Sequence, residues 1–204
     1  MIVRSRLVPL FRHADVAWVY AAIVLIVAFV VEAAPGLTSD ELVQDSSTNL
    51  ENLRQTPVLV LVVSAFVVAP VSGLWILAPL VVTFAAAQRW LGRASTVIVA
   101  ALGHVGATLF VSVLLAAGIH AGRLNPALAR AQDVGVSYAV FTVAGLLVAR
   151  VPHRLRNWYV AGLLALSIIP VLLEQSFTSL GHLTAVLLGF ALAVLVSSGA
   201  ARRF

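Results

Sequence analysis

The chain contains no cysteine and no lysine, and only 10% of its 204 residues are charged. Without cysteine there is no disulfide framework, no thiolate nucleophile and no Cys-based metal site. With so few charges, a soluble domain of this length could not cover its own surface. The formal charge of +5 rests wholly on arginine. No basic patch interleaved with exposed aromatics occurs, which sets nucleic acid aside as a partner. What the chain has in quantity is apolar side chain: 61% of it is hydrophobic and the mean hydropathy is +1.05. These values describe an integral membrane protein with several spans, whose first partner is the lipid bilayer.

Six apolar runs are legible, at roughly 16–31, 57–87, 95–119, 134–149, 158–173 and 180–196. The first has a long basic lead and an apolar core longer than a signal peptide's, so it reads as an uncleaved span. Arg4, Arg6, Arg12, Arg89, Arg93, Arg150, Arg154, Arg156, Arg202 and Arg203 fall on one side of a six-span arrangement. Arg54, Arg123 and Arg130 fall on the other, together with most of the acids. The positive-inside rule then places both termini in the cytoplasm of a cell membrane. The fold expected is an all-α bundle of six transmembrane helices forming one domain over residues 1–204.

The outer loop, residues 34–56, carries two matches to the S/T-x-x-E capping box: Thr38-Ser39-Asp40-Glu41 and Thr48-Asn49-Leu50-Glu51. Short helices at the membrane surface are expected there. Pro70 and Pro79 should kink the long second run. Trp18, Tyr20, Trp90, Trp158 and Tyr159 read as interfacial rings.

Chemistry is carried by Asp133-Val134-Gly135-Val136-Ser137-Tyr138 and by Gly181-His182. Ser137 lies thirteen positions before Arg150, roughly 20 Å above the inner boundary at 1.5 Å per residue. His182 lies sixteen positions before Ser198, roughly 24 Å up, so the two side chains reach similar depth. The fourth run is too short for a bilayer, which would recess Ser137 in a cavity open to the outside. A hydroxyl and an imidazole at one depth suit a nucleophile and its general base. Gly181, Ala185, Gly189 and Ala193 form a small-residue ribbon along the sixth run, on which the fourth, with Gly135, Ala139 and Ala144, could pack closely. The alternative is plain helix packing, with His182 bonded to a carbonyl.

These residues resemble those of the rhomboid intramembrane serine proteases, specifically a divergent bacterial rhomboid-like branch. Gly135-Val136-Ser137-Tyr138 is similar to the family's G-x-S-G nucleophile motif, with Tyr138 in place of the second glycine. Gly181-His182 through Gly189 resembles its A-H-x-x-G-x-x-x-G histidine motif, and Gln88 to Gly92 its E-x-x-x-G step. The resemblance implies a Ser137–His182 dyad that cleaves transmembrane segments of other proteins. It also implies an H-x-x-x-N pair for the oxyanion, and counting back from Gln88 puts Ser72 and Ile76 there. Isoleucine cannot donate a hydrogen bond. Backbone amides around Ser137 and Gly135, or His104 in the third run, are the substitutes. Two functions stay open: a protease, or a pseudoprotease that binds membrane-protein clients. A transporter lacks a carboxylate relay or an inverted repeat. His13, His120 and His153 read as interfacial, and no H-E-x-x-H spacing suggests a metal. No cofactor is expected.

Overall fold

The computed structural model describes residues 14–34, 38–68, 71–174 and 176–201. Arg4, Arg6, Arg12, His13, Pro70, Arg202 and Arg203, together with the Ser72 side chain, lie outside what is described. The helices are α1 (Asp15–Ala33), α2 (Ser39–Ser46), α3 (Leu50–Gln55), α4 (Pro57–Ser64), α5 (Leu77–Leu91), α6 (Arg93–His120), α7 (Val136–Leu146), α8 (His153–Glu174) and α9 (Phe177–Ala201). Short 3₁₀ turns cover Val71–Ile76, Pro126–Arg130 and Leu147–Arg150. Among the described residues, five helical stretches are long and apolar enough to cross a membrane: Asp15–Ala33, Gly73–Leu91, Arg93–His120, His153–Glu174 and Phe177–Ser198. The fourth apolar run gives only Val136–Arg150, which rises roughly 22 Å against a hydrocarbon core of about 30 Å.

The second run is not one kinked helix. It is α4, a turn, a 3₁₀ segment and then α5. Pro57 opens α4 at its first position. Pro79 stands in the first turn of α5, just after the change from 3₁₀ to α-helix. In lipid the freed backbone groups at such a break need partners from elsewhere. The Tyr20 hydroxyl donates to Ala65 O at 2.6 Å, and Gly135 N donates to Ser64 O at 2.9 Å. Tyr20 is thus an internal tie rather than an interfacial ring. Tyr159 plays a similar part, donating to Ala144 O at 2.7 Å. Trp18 and Trp158 are exposed, as rings facing lipid or its interface would be.

In the outer loop, Thr38 and Glu41 close a reciprocal capping box at the start of α2. The second box is displaced by one residue. Asn49 caps α3 through Asn52 N, because the Thr48 hydroxyl is already committed to Asp133. At the opposite end of the bundle, Gln88 Oε1 accepts from Val16 N at 3.0 Å and its amide donates to Asp15. Asp15 also pairs with Arg93 at 2.6 Å. Gly92, at φ +83°, makes the turn between α5 and α6 that brings these groups together.

The central element is α7, packed against α9, α6 and α5. Its contact with α9 is backbone on backbone. A Cβ on Gly145 would lie 2.6 Å from Val186 O, and one on Gly189 would lie 2.8 Å from Gly145 Cα. Thr142 Oγ1 adds a hydrogen bond to Ala185 O at 3.0 Å, and Ala185 and Ala193 are buried. In this lower part of the seam the α7 residues that meet α9 include Thr142, Ala144 and Gly145. Gly135 instead abuts His104, and Ala139 joins the core shared with α1 and α5.

Gly145→Val should separate α7 from α9 and lower the melting temperature in detergent steeply, by roughly 2 kcal/mol or more of stability. Gly162→Ala, where a Cβ meets nothing within 4 Å, should leave it unchanged or slightly higher.

Candidate active site

Ser137 is the second residue of α7 and His182 the sixth of α9. The close seam between those helices brings Ser137 Oγ to 2.8 Å from His182 Nε2. With the ring proton on Nδ1, the hydroxyl donates to Nε2. The imidazole is held by rings: Phe141 stacks on it at 4.7 Å and 28°, and Tyr138 meets it edge-on at 5.5 Å and 76°. Both Ser137 and His182 are half-buried.

The amides of Val136, Ser137 and Tyr138 fall in the first turn of α7, where no helical carbonyl precedes them. Among the described residues no acceptor reaches them. They are preorganised donors beside Ser137 Oγ. Among the described side chains of the second run, no donor joins them. Ile76 is buried in the apolar core with Val136 and Val140. The helical count that paired it with Ser72 also fails, because Val71–Ile76 is 3₁₀ and residues four apart there do not share a face.

His104 sits in its own niche. Its Nε2 lies 2.9 Å from Leu61 O and 3.3 Å from Ser64 Oγ, so it carries the proton and donates to that carbonyl. Gly135 packs directly on the ring, and a Cβ there would overlap it. Nδ1 is buried without a partner and is left an acceptor. The donor that His104 was expected to supply is thus engaged elsewhere, and Gly135 serves as the seat for its ring. His120 and His153 are exposed at helix ends.

Sequence reasoning missed the part played by Asp133. Its carboxyl is buried, with Oδ1 accepting from the Tyr138 hydroxyl at 2.5 Å and Oδ2 from Thr48 Oγ1 at 3.2 Å. Its backbone N donates to Ser47 Oγ at 2.6 Å, and its carbonyl accepts from Thr48 N at 2.8 Å. This knot sits in the loop before α7, outside the spans. Burial pushes the Asp133 carboxyl up to about 6, against the pull of its hydroxyl donors. Two cavities adjoin the region. One, of about 520 Å³, lies between α1, residues 61–66 and α6. The other, of about 300 Å³, lies under the outer loop beside Asp133. Neither is lined by Ser137 or His182, so the expected open recess around Ser137 is not one of them.

A family model described as "Rhomboid-like protein" matches residues 10–202. The chain belongs to the rhomboid-like family. Among curated proteins and among solved structures, none matches it. Against the rhomboid motifs, the chain departs at three seam positions: Tyr138 stands where a glycine is expected, and Gly181 and Ala185 exchange the alanine and glycine around the histidine. A Cβ on Gly181 would overlap the Tyr138 ring and hydroxyl. The exchange thus places the residue without a side chain opposite Tyr138, while Ala185 is buried lower in the seam. The departures were visible in the sequence, but only the packing joins Tyr138 to Gly181.

Gly181→Ala should destabilise the protein by roughly 1–3 kcal/mol and cost markedly less in a Tyr138→Ala background, a coupling that a double-mutant cycle of detergent melts would read. A second expectation concerns pH. The folded value for Asp133 lies above the ordinary 3.8. Its contribution to stability is therefore full below 3.8 and lost as pH rises through about 6. Asp133→Asn, which removes the titration, should flatten the fall in melting temperature across that window.

Proposed function

We propose that this rhomboid-like chain is an intramembrane serine protease, with Ser137 as nucleophile and His182 as general base. The observation that carries this reading is the 2.8 Å contact between Ser137 Oγ and His182 Nε2 at the start of α7. Ser137 Oγ attacks a peptide carbonyl carbon while its proton passes to Nε2. Collapse of the tetrahedral adduct expels the amine, which takes that proton from the imidazole. Water, deprotonated by the same nitrogen, then adds to the acyl carbon, and the imidazolium returns that proton to Ser137 Oγ as the acid is released. The charge on each adduct falls to the free amides of the first turn of α7.

No carboxylate accepts from His182 Nδ1 among the described residues, so the machinery is a dyad. The substrates are transmembrane segments of other proteins. In the same reading, Val136–Arg150 is a short additional span that brings the count to six, both termini and the arginine-rich side are cytoplasmic, and the protein resides in the cell membrane. The chain forms one transmembrane domain, with α2 and α3 lying at the outer interface.

A second reading is favoured by a specific observation. Ile76, buried in the apolar core, supplies no oxyanion donor. This suits a catalytically impaired member that holds membrane-protein clients without cutting them. Labelling of the detergent-solubilised protein with a fluorophosphonate probe separates the two. A protease labels, and both Ser137→Ala and His182→Ala reduce labelling by at least about 10². Absence of labelling in the wild type, under conditions where an active rhomboid labels, overturns the protease in favour of the client binder.

A further inference from the structure

The chemistry proposed for Ser137 and His182 leaves Asp133 and Tyr138 unused, yet both are buried, Tyr138 in the same helix seam and Asp133 in the loop that leads into it. Among the described residues the His182 imidazole has no carboxylate partner and its one polar tie is to Ser137, the group it must activate, so the rings around it also bear on its orientation. Phe141 covers one face, but it carries no polar group to anchor it. Tyr138 is different. Its ring is fully buried, its hydroxyl is tied to Asp133 Oδ1 at 2.5 Å, and its edge meets the imidazole. A phenylalanine would fill the same space without burying a carboxyl, which is costly unless its bonds are complete.

Those bonds come from three segments. Ser47 and Thr48, in the turn between α2 and α3, grip the backbone and carboxyl of Asp133. Thr178 Oγ1, four residues before His182 on α9, reaches Oδ1 at 3.4 Å. Tyr138 is the next residue after Ser137. One carboxyl therefore closes the outer loop, the start of α7 and the start of α9 around the two reacting groups. We infer that Tyr138, held by Asp133, is a positioning residue that fixes the plane of the His182 imidazole, and that the Ser47–Thr48 turn sustains this hold from the outer loop.

The inference rests on Ser137 and His182 being nucleophile and base, but its test is read at the imidazole itself. The full chain would be prepared in micelles with ¹⁵N- and ¹³C-labelled histidine, and the His182 ring signals assigned with His182→Ala. Tyr138→Phe keeps the ring and removes only the hydroxyl. It should shift or broaden the His182 signals while leaving those of His104 in place, and slow fluorophosphonate labelling by roughly tenfold or more. Asp133→Ala should act in the same direction. Asp133→Asn, which retains an acceptor for the Tyr138 hydroxyl, should restore both readouts towards wild type. His182 signals unchanged in Tyr138→Phe and Asp133→Ala would overturn the inference and leave the pair as a tie between loop and helices. Signals that respond in a protein that never labels would support the positioning and sink the protease instead.

Discussion

The contact on which the rest depends is the meeting of α7 and α9 at Gly145 and Gly189. Lipid supplies no hydrophobic force between helices, so their association rests on close packing and on hydrogen bonds across the seam. Glycine at both positions lets the backbones touch, and Thr142 bonds the Ala185 carbonyl across the gap. Further up the same seam, that approach becomes the 2.8 Å separation of Ser137 and His182. A wider seam would leave both side chains in place on their own helices and out of reach of each other.

The break between α4 and α5 answers a second constraint of the bilayer. Backbone groups released by a broken helix must be satisfied within the protein. Tyr20, from α1, takes the Ala65 carbonyl, and Gly135, from the loop before α7, takes that of Ser64. His104 completes the arrangement by donating to Leu61. The irregular segment is thereby sewn to the loop that presents Ser137. A histidine at membrane depth invites a catalytic reading, but here the ring satisfies a carbonyl left by the break.

Around the dyad, size and polarity are arranged together. Tyr138 is accommodated because Gly181 has no side chain, and its hydroxyl is accommodated because Asp133 accepts from it. Asp133 is in turn enclosed by Ser47 and Thr48 from a segment some 85 residues earlier in the chain. Thr48 shows how such a knot overrides a local signal. Its sequence context marks it as a helix cap, yet Asn49 caps α3 while Thr48 turns to the carboxyl.

Composition and run length by themselves determined that the chain is an all-helical membrane protein, because long continuous apolar runs satisfy their backbone in lipid as helices, whereas barrel strands are short and alternate. Spacing also determined the small-residue ribbon on α9, and depth counted along straight helices put Ser137 and His182 at one level. Such counting tolerates the short 3₁₀ turn Leu147–Arg150 at the end of the fourth run, which changes the height by only about 2 Å. It failed across residues 57–91, where a 3₁₀ segment changes the rise and the face, so the positions assigned to Ser72 and Ile76 carried no shared geometry. The pairing of Tyr138 with Gly181, the engagement of His104 and the enclosure of Asp133 were decided only by tertiary structure. Each depends on which residues, distant in the chain, come to share a few ångströms, and no local pattern encodes that distance.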